Sequence, residues 1–243
     1  MFSALVDKGF DVHALHHSEA ILTYDIPEAI LDIESILRSI QLPIQELVCG
    51  GGGEGQLTQR IRHALESRGW RKHNYEIKKV VDGNEKESIS HEIDHVKDFE
   101  LGTVALETEW NNKDPFFDRD LENFKRLHAE GIISVGGIIT RGSTLQDNLK
   151  EIIHRFALDN EVDSVEMLSD YYVPTPRQER IIAEKSVRYG SFQEGWANAF
   201  VSDKFGEATT HWRKLDDRVR RGVGNPCPLI LIGIPDTIVV RNS

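Results

Sequence analysis

His91-Glu92-Ile93-Asp94 and, beyond a spacer punctuated by Gly102, Val104-Ala105-Leu106-Glu107-Thr108-Glu109-Trp110 are the stretches whose reading decides the fold. Apolar and polar residues alternate in both, as they do in half-buried β-strands, so Asp94 falls on one strand and Glu107 and Glu109 on the next. Residues i and i+2 of a strand share a face with Cα atoms about 6.6 Å apart, so the two glutamates look the same way while Leu106 and Thr108 look the other. Three acids brought together repel and raise one another's pKa unless something positive sits among them. The competing reading of a Glu-x-Glu pair is a solvated sheet face. Asp94 on the preceding strand and the apolar setting of Val104, Ala105, Leu106 and Trp110 tell against it, because acids inside a hydrophobic strand need a reason to be there. A hard divalent cation is the natural occupant, and oxygen-only ligation without His or Cys pairs at zinc spacing favours Mg²⁺.

Working outward, Tyr75–Val81 reads as a strand, Asp82-Gly83-Asn84 as a turn, Ser88–Asp98 as the strand carrying Asp94 and Thr103–Trp110 as the one carrying the acid pair. A polar, aromatic loop, Asn111–Asp120, leads to a helix over Arg119–His128 with Leu121, Phe124 and Leu127 on its apolar side. Ile132–Thr140 is a continuous apolar run, as expected of a buried central strand. Upstream, Ala20–Gln41 carries a broad apolar stripe and reads as one helix whose regular part starts at Pro27. Gln56–Arg68 is a second helix, ended by Gly69. Before it, Gly50-x-Gly52-x-x-Gly55 formally matches a dinucleotide fingerprint, but the acid that should end a second strand, Glu76, instead opens one. A flexible entry into the helix is the preferred reading. Glu54 either reaches the site of the strand acids or simply favours the positive end of that helix. Downstream, helices are expected over Leu145–Ala157, Arg177–Arg188 and Thr209–Arg221, the last with Thr210 as N-cap, and a final strand over Pro228–Ile234. The segment Gly190–Gly206, with Trp196 and Phe200, has no clear assignment.

The chain has 243 residues and a net charge of −11, which by itself argues against a polyanionic partner. Its distribution does not: Arg60–Val80 holds seven Lys/Arg against two Glu, and Lys204–Arg221 six against three acids. Such stretches can meet phosphate, or be ordinary solvated faces. Cys49 and Cys227 give neither a disulfide framework nor a metal cluster and suit a reducing compartment. No run of about 18 apolar residues is present and Met1–Phe10 lacks a signal-peptide pattern, so a soluble, cytoplasmic protein without membrane contact is expected.

Helix, three strands, helix, strand, with an Asp on the second strand and Glu-x-Glu on the third, resembles the core of PD-(D/E)xK nucleases. More narrowly, Ile93-Asp94 with Ala105-Leu106-Glu107-Thr108-Glu109-Trp110-Asn111 is similar to the BglII/BamHI/BstYI group of type II restriction endonucleases. The segments Asp114–Leu121 and Lys204–Lys214 share that likeness. It implies an α/β fold with a mixed central sheet flanked by helices: one domain spanning 1–243, its catalytic core at about 50–141, then a helical region with the recognition segment and last strand. It implies Asp94 and Glu107 as cation ligands, joined by the carbonyl of Thr108, with Glu54 matched to the helix-borne polar residue. Glu109 stands where most of the superfamily has Lys, as in the BamHI-like subgroup, which leaves open what activates water. The implied partners are double-stranded DNA and a second copy of the chain. DNA contacts are expected from Thr209, Thr210, His211, Arg213 and Lys214, with Lys204 beside them. Lys113 is either a phosphate contact or a surface lysine. A methylation-dependent or structure-specific nuclease, a glycoside hydrolase using the Glu107/Glu109 pair, and a non-catalytic DNA-binding protein are the competing functions.

Overall fold

The computed structural model describes residues 1–50 and 53–241. Gly51 and Gly52, and with them much of the glycine-rich entry loop, lie outside the described residues. The strands are β1 (Asp11–Leu15), β2 (Leu42–Pro43), β3 (Arg71–Val81), β4 (Asn84–Phe99), β5 (Gly102–Glu109), β6 (Val135–Arg141), β7 (Leu229–Ile234) and β8 (Val239–Val240). Short helical turns occupy Ser3–Val6, Ser18–Ala20 and Ile44–Val48 (α1, α2 and α4). The longer helices are α3 (Pro27–Ser39), α5 (Gln56–Glu66), α6 (Phe116–Ala129), α7 (Ser143–Asp159), α8 (Pro176–Tyr189), α9 (Phe192–Lys204) and α10 (Trp212–Arg220). Six strands form one sheet in the order β1-β7-β6-β5-β4-β3, while β2 and β8 pair separately. Its β3/β4, β4/β5 and β1/β7 pairings are antiparallel and its β5/β6 and β6/β7 pairings parallel, so the sheet is mixed, as expected.

Alternation along the central strands sorts their side chains onto two cores. Val104, Leu106, Ile139, Ile230 and Ile232 face α3, α5, α7 and α9, whereas Ala105, Ile138, Leu229 and Leu231 face α6 and α10. A strand covered on both faces has no reason to be polar on either, and this is why Ile132–Thr140 is continuously apolar. Gly136 and Gly137 interrupt that run because neighbouring side chains approach the backbone closely. A Cβ at Gly136 would stand 2.6 Å from the Phe124 ring, and one at Gly137 2.4 Å from Leu106.

Several boundaries differ from the sequence reading. The single helix expected over Ala20–Gln41 is interrupted: a π-helical turn at Ile21–Asp25 ends at Ile26, and α3 starts afresh at Pro27. Proline has no N–H to continue the hydrogen-bond ladder and drives the residue before it out of the helical region. Gly190–Gly206 is mostly helix, α9, with the Ser191 hydroxyl accepting the Glu194 N–H at its start. The helix expected from Thr209 begins only at Trp212, with His211 at the N-cap. Thr210 does not cap it. Its hydroxyl accepts the Asn112 N–H (3.0 Å) instead, so it tethers the loop after β5. An edge strand, β1, also joins the sheet where the sequence pattern alone gave no strand.

Candidate active site

Asp94 sits at a break in the β3/β4 ladder. Arg71 pairs with Val96 but His73 pairs with Ile93, so β4 carries one residue more than β3 across this step, a β-bulge. A bulge re-aims side chains and frees a main-chain group from pairing. Both effects are visible here. Ile93 and Val96 point into the core beside α6, His95 points to the other side of the sheet, and the Asp94 N–H donates to Glu107 Oε2 at 3.3 Å. Asp94 therefore lines two clefts. One, of about 600 Å³, also holds Glu107, Glu109, His91 and Arg119. The other, of about 890 Å³, holds His95, Thr108, Glu54, Glu66, Arg62 and Lys204.

On β5 the alternation places Glu107 and Glu109 on the α6 side, 2% and 3% exposed. A fourth acid that the sequence reading passed over meets them there. Asp120 of α6 is wholly buried, and Arg119 binds its Oδ1 at 2.8 Å while standing 3.5 Å from Glu109 Oε1. The signal was present in the sequence: Phe117, Leu121, Phe124 and Leu127 set the buried stripe of α6, and Asp120 falls on it at helical spacing. Asn112 completes the surroundings, donating from Nδ2 to Glu109 Oε2 at 2.7 Å.

Burial raises all three carboxyls of this group. Glu109 is pushed up to about 8 by burial and then by the negative charge of Asp120, against the pull of Asn112 and Arg119. Glu107 is raised well above the usual range by burial, Asp120 and Asp94. Asp120 is raised by burial, with Arg119 opposing. The contact between the two carboxyls raises Glu109 and lowers Asp120. This is how crowded acids behave without a counter-ion, and a cation would reverse each shift. Glu107 Oε1 and Asp120 Oδ2 are buried and have no hydrogen-bond partner, so oxygen donors stand ready for a hard ion. No three His, Cys, Asp or Glu groups among the described residues are already drawn to metal-binding geometry. The donor chemistry fits a divalent cation, and the side chains would have to close on it.

The other expected site residues are distributed differently. Thr108 points to the opposite face of β5 from the glutamates and lines the larger cleft. Glu54 lines that cleft too, but ahead of α5 and in ion pairing with Arg62 at 3.1 Å; helix-borne acids lining the same cleft are Glu46 of α4 and Glu66 of α5, the latter also held by Arg62. Lys113 is exposed and pairs through its backbone with Thr209. Lys214 lies 3.9 Å from Asp114, and Arg213, exposed, is ion-paired with Asp147. Of the remaining residues expected at a DNA surface, two are fully enclosed and two, Thr209 and Lys204, are part-buried with bonds inside the protein. His211 is wholly buried, which with the charge of Arg141 lowers its pKa to about 4, and Thr210 is equally enclosed. The Thr209 hydroxyl accepts from Arg141 and donates to the Gly206 carbonyl. Lys204 Nζ donates to the carbonyls of Leu47 and Cys49 (3.0 and 2.5 Å). Polar side chains in Thr209–His211 had suggested a recognition surface. The two threonine hydroxyls bond inside the protein, Thr210 fastening this segment to the loop after β5, while the His211 ring is enclosed with neither nitrogen hydrogen-bonded.

Helix α5, the antiparallel strands β3–β5, helix α6 and the parallel strand β6, with acids at the bulge of β4 and on β5, define a core of the restriction-endonuclease type. Residues 10–234 match the family model described as Restriction endonuclease BglII/BglIII, and the chain belongs to that family. No curated protein sequence gives a match. The chain is a type II restriction endonuclease, and its substrate is DNA. No helix among the described residues is long and apolar enough to cross a membrane.

Proposed function

We propose that the protein hydrolyses phosphodiester bonds of double-stranded DNA at a short palindromic sequence, as a cytoplasmic homodimer using Mg²⁺, with Asp94, Glu107 and Glu109 at the reacting centre. The observation that carries this reading is the set of buried Glu107, Glu109 and Asp120 beside the half-buried Asp94 on the β4–β5–α6 corner of a chain of this family. Asp94 and Glu107, with the carbonyl of Thr108, would hold the cation, and Glu66 or Glu54 across the larger cleft would complete a polar ring. A divalent ion held there would supply positive charge against the phosphoryl oxygens and lower the pKa of the attacking water.

The chain's own groups do the rest. The Asp94 N–H holds the Glu107 carboxylate in place. Asn112 and Arg119 orient Glu109, which, once ionised, accepts a proton from the attacking water. Arg119, half exposed at the cleft mouth, is placed to meet a phosphate, and Lys113, Arg213 and Lys214 lie outside the enclosed segment where a duplex can reach them. Cutting both strands of a palindrome calls for two such sites related by a two-fold axis, hence the dimer.

Digestion of unmethylated phage DNA with Mg²⁺ or with chelator, followed by sequencing of the ends, tests this. Discrete fragments with a symmetric terminal sequence, formed only with Mg²⁺, are expected. Smears, or discrete fragments in chelator, would overturn the site-specific or the Mg²⁺ element respectively, and cutting confined to methylated DNA would move the protein to a methylation-dependent class.

A further inference from the structure

Arg141 ends β6 with its side chain wholly buried. Its Nε donates to Gln146 Oε1 (3.1 Å), Nη1 to the Trp110 carbonyl (3.1 Å) and Asn111 Oδ1 (2.5 Å), and Nη2 to Thr209 Oγ1 (2.7 Å). The Phe205 ring lies 5.0 Å from its Cζ. None of these partners is a carboxylate. Burial of the cation alone lowers its pKa to about 9, so the fold holds a charge at a cost that an apolar side chain of similar size would avoid. Such a group stays when its geometry is needed. A planar fork can hold acceptors on three separate segments at fixed angles, and an ammonium cannot.

The segments it joins explain the need. Trp110 and Asn111 open the loop after β5, and the next residue is Asn112. The Asn112 backbone is clasped by Thr210, its N–H donating to Thr210 Oγ1 (3.0 Å) and its carbonyl accepting the Thr210 N–H (2.8 Å). Its side chain grips Glu109 Oε2 at 2.7 Å. Contacts thus run without interruption from the guanidinium through the loop to the acid at the reacting centre, while Arg141 itself has no exposure to the cleft. We propose that Arg141 is a positioning residue for DNA cleavage: by clamping Trp110 and Asn111 against Thr209 it fixes Asn112, and through Asn112 the Glu109 carboxylate. This rests on Glu109 being the group that receives the water's proton.

The test compares wild type, Arg141→Lys, Asn112→Ala and the double variant on a duplex that wild type cuts. For R141K, kcat is expected to fall on the order of 10- to 100-fold, the scale of a small misplacement of a reacting group, while KM stays within about twofold. In the double variant R141K should add no more than about twofold to the loss from N112A, because residues acting along one path are not additive. An unchanged kcat, a rise in KM at constant kcat, or losses that multiply in full would each overturn the proposal. Should R141K fail to fold, Asn111→Ala removes one acceptor of the clamp and leaves the cation in place. It is expected to lower kcat and to be non-additive with N112A, and wild-type turnover there overturns the proposal equally. A wild-type protein that cuts no DNA at all would sink the nuclease reading together with this one, whereas a competent wild type with an indifferent R141K sinks this one alone.

Discussion

Replacing Glu109 by Gln should change how stability depends on pH more than it changes stability itself. The Glu109 carboxyl titrates near 4.5 in an unfolded chain and is pushed up to about 8 in the folded one by burial and by Asp120. Below 4.5 both states carry the proton, and the raised pKa contributes its full stability. Between 4.5 and about 8 only the folded state keeps it, so folding stability falls as pH rises, by about 1.4 kcal/mol per pH unit. Over that window the loss comes to ~5 kcal/mol at most, and closer approach of the half-exposed Arg119 to the ionised carboxylate would reduce it to a few kcal/mol. Gln keeps an acceptor for Asn112 and a donor toward Asp120 but has no proton to lose. In urea unfolding from pH 5 to pH 8 with chelator present, wild type and E109Q should start close together and separate, E109Q becoming the more stable by at least ~2 kcal/mol. Adding Mg²⁺ at the upper end should narrow the gap, because a cation offsets the charge that destabilises wild type. Parallel profiles over the whole range would refute the enclosed, uncompensated state of this carboxyl.

Asp94→Asn and Glu107→Gln should each leave folding intact and lower the cleavage rate about a thousandfold, the ~4 kcal/mol scale of lost charge stabilisation, with gel-shift binding of the duplex in Ca²⁺ showing whether DNA is still held. Asp120→Asn should make the protein more stable in chelator at pH 8, since a buried charge beside Glu107 and Glu109 is gone, and Mg²⁺ should then raise its melting temperature less than it raises that of wild type. Arg218→Ala should cost about 3 kcal/mol in urea unfolding, because Arg218 is buried between Asp118 (2.9 Å) and Asp114 (3.2 Å) and ties α10 to the start of α6. Gly136→Ala should cost 1–3 kcal/mol or so by the same measurement, the price of driving a methyl into Phe124.

What the sequence revealed and what it hid separate along a physical line. Strands β4–β6 were legible because burial on a sheet imposes a period of two or a continuous apolar run, and each leaves its mark on neighbouring residues. Asp94, Glu107 and Glu109 were legible for the same reason, as acids out of place in those patterns. Asp120 broke a pattern too, the period of α6, but it lay where a loop was expected to run on to Asp120 itself, four residues beyond the actual start of the helix at Phe116. The bulge at Asp94 left no trace, since an extra residue in a ladder is a property of two strands in register and not of either alone. The same holds for Thr209, Thr210 and His211. Hydroxyls and an imidazole in a basic stretch look identical whether they face DNA or the protein interior, and only tertiary structure decides, through the bonds of the two threonines to Asn112 and Arg141 and the burial of His211.

That distinction bears on how the candidate active site is held together. Its acids come from two adjacent strands and one helix, but the groups that orient them reach further along the chain: Asn112 is set by Thr210, about a hundred residues downstream, and its loop by Arg141 and Thr209. The region after β6 is therefore no appendage to a core completed at residue 141. Without Thr209 and Thr210 the loop after β5 loses its clasp, Asn112 loses its fixed approach to Glu109, and the acid pair on β5 keeps its burial but not its aim. On the proposed function, with the clasp engaged within the protein, DNA contact near this segment falls to side chains that project beyond it, such as the exposed Lys113 and Arg213. If Glu109 is catalytic and Lys113 and Arg213 meet DNA, as proposed, the two are joined through one short backbone pairing, and a duplex that displaced either side chain would act on the same loop that holds Asn112 against Glu109.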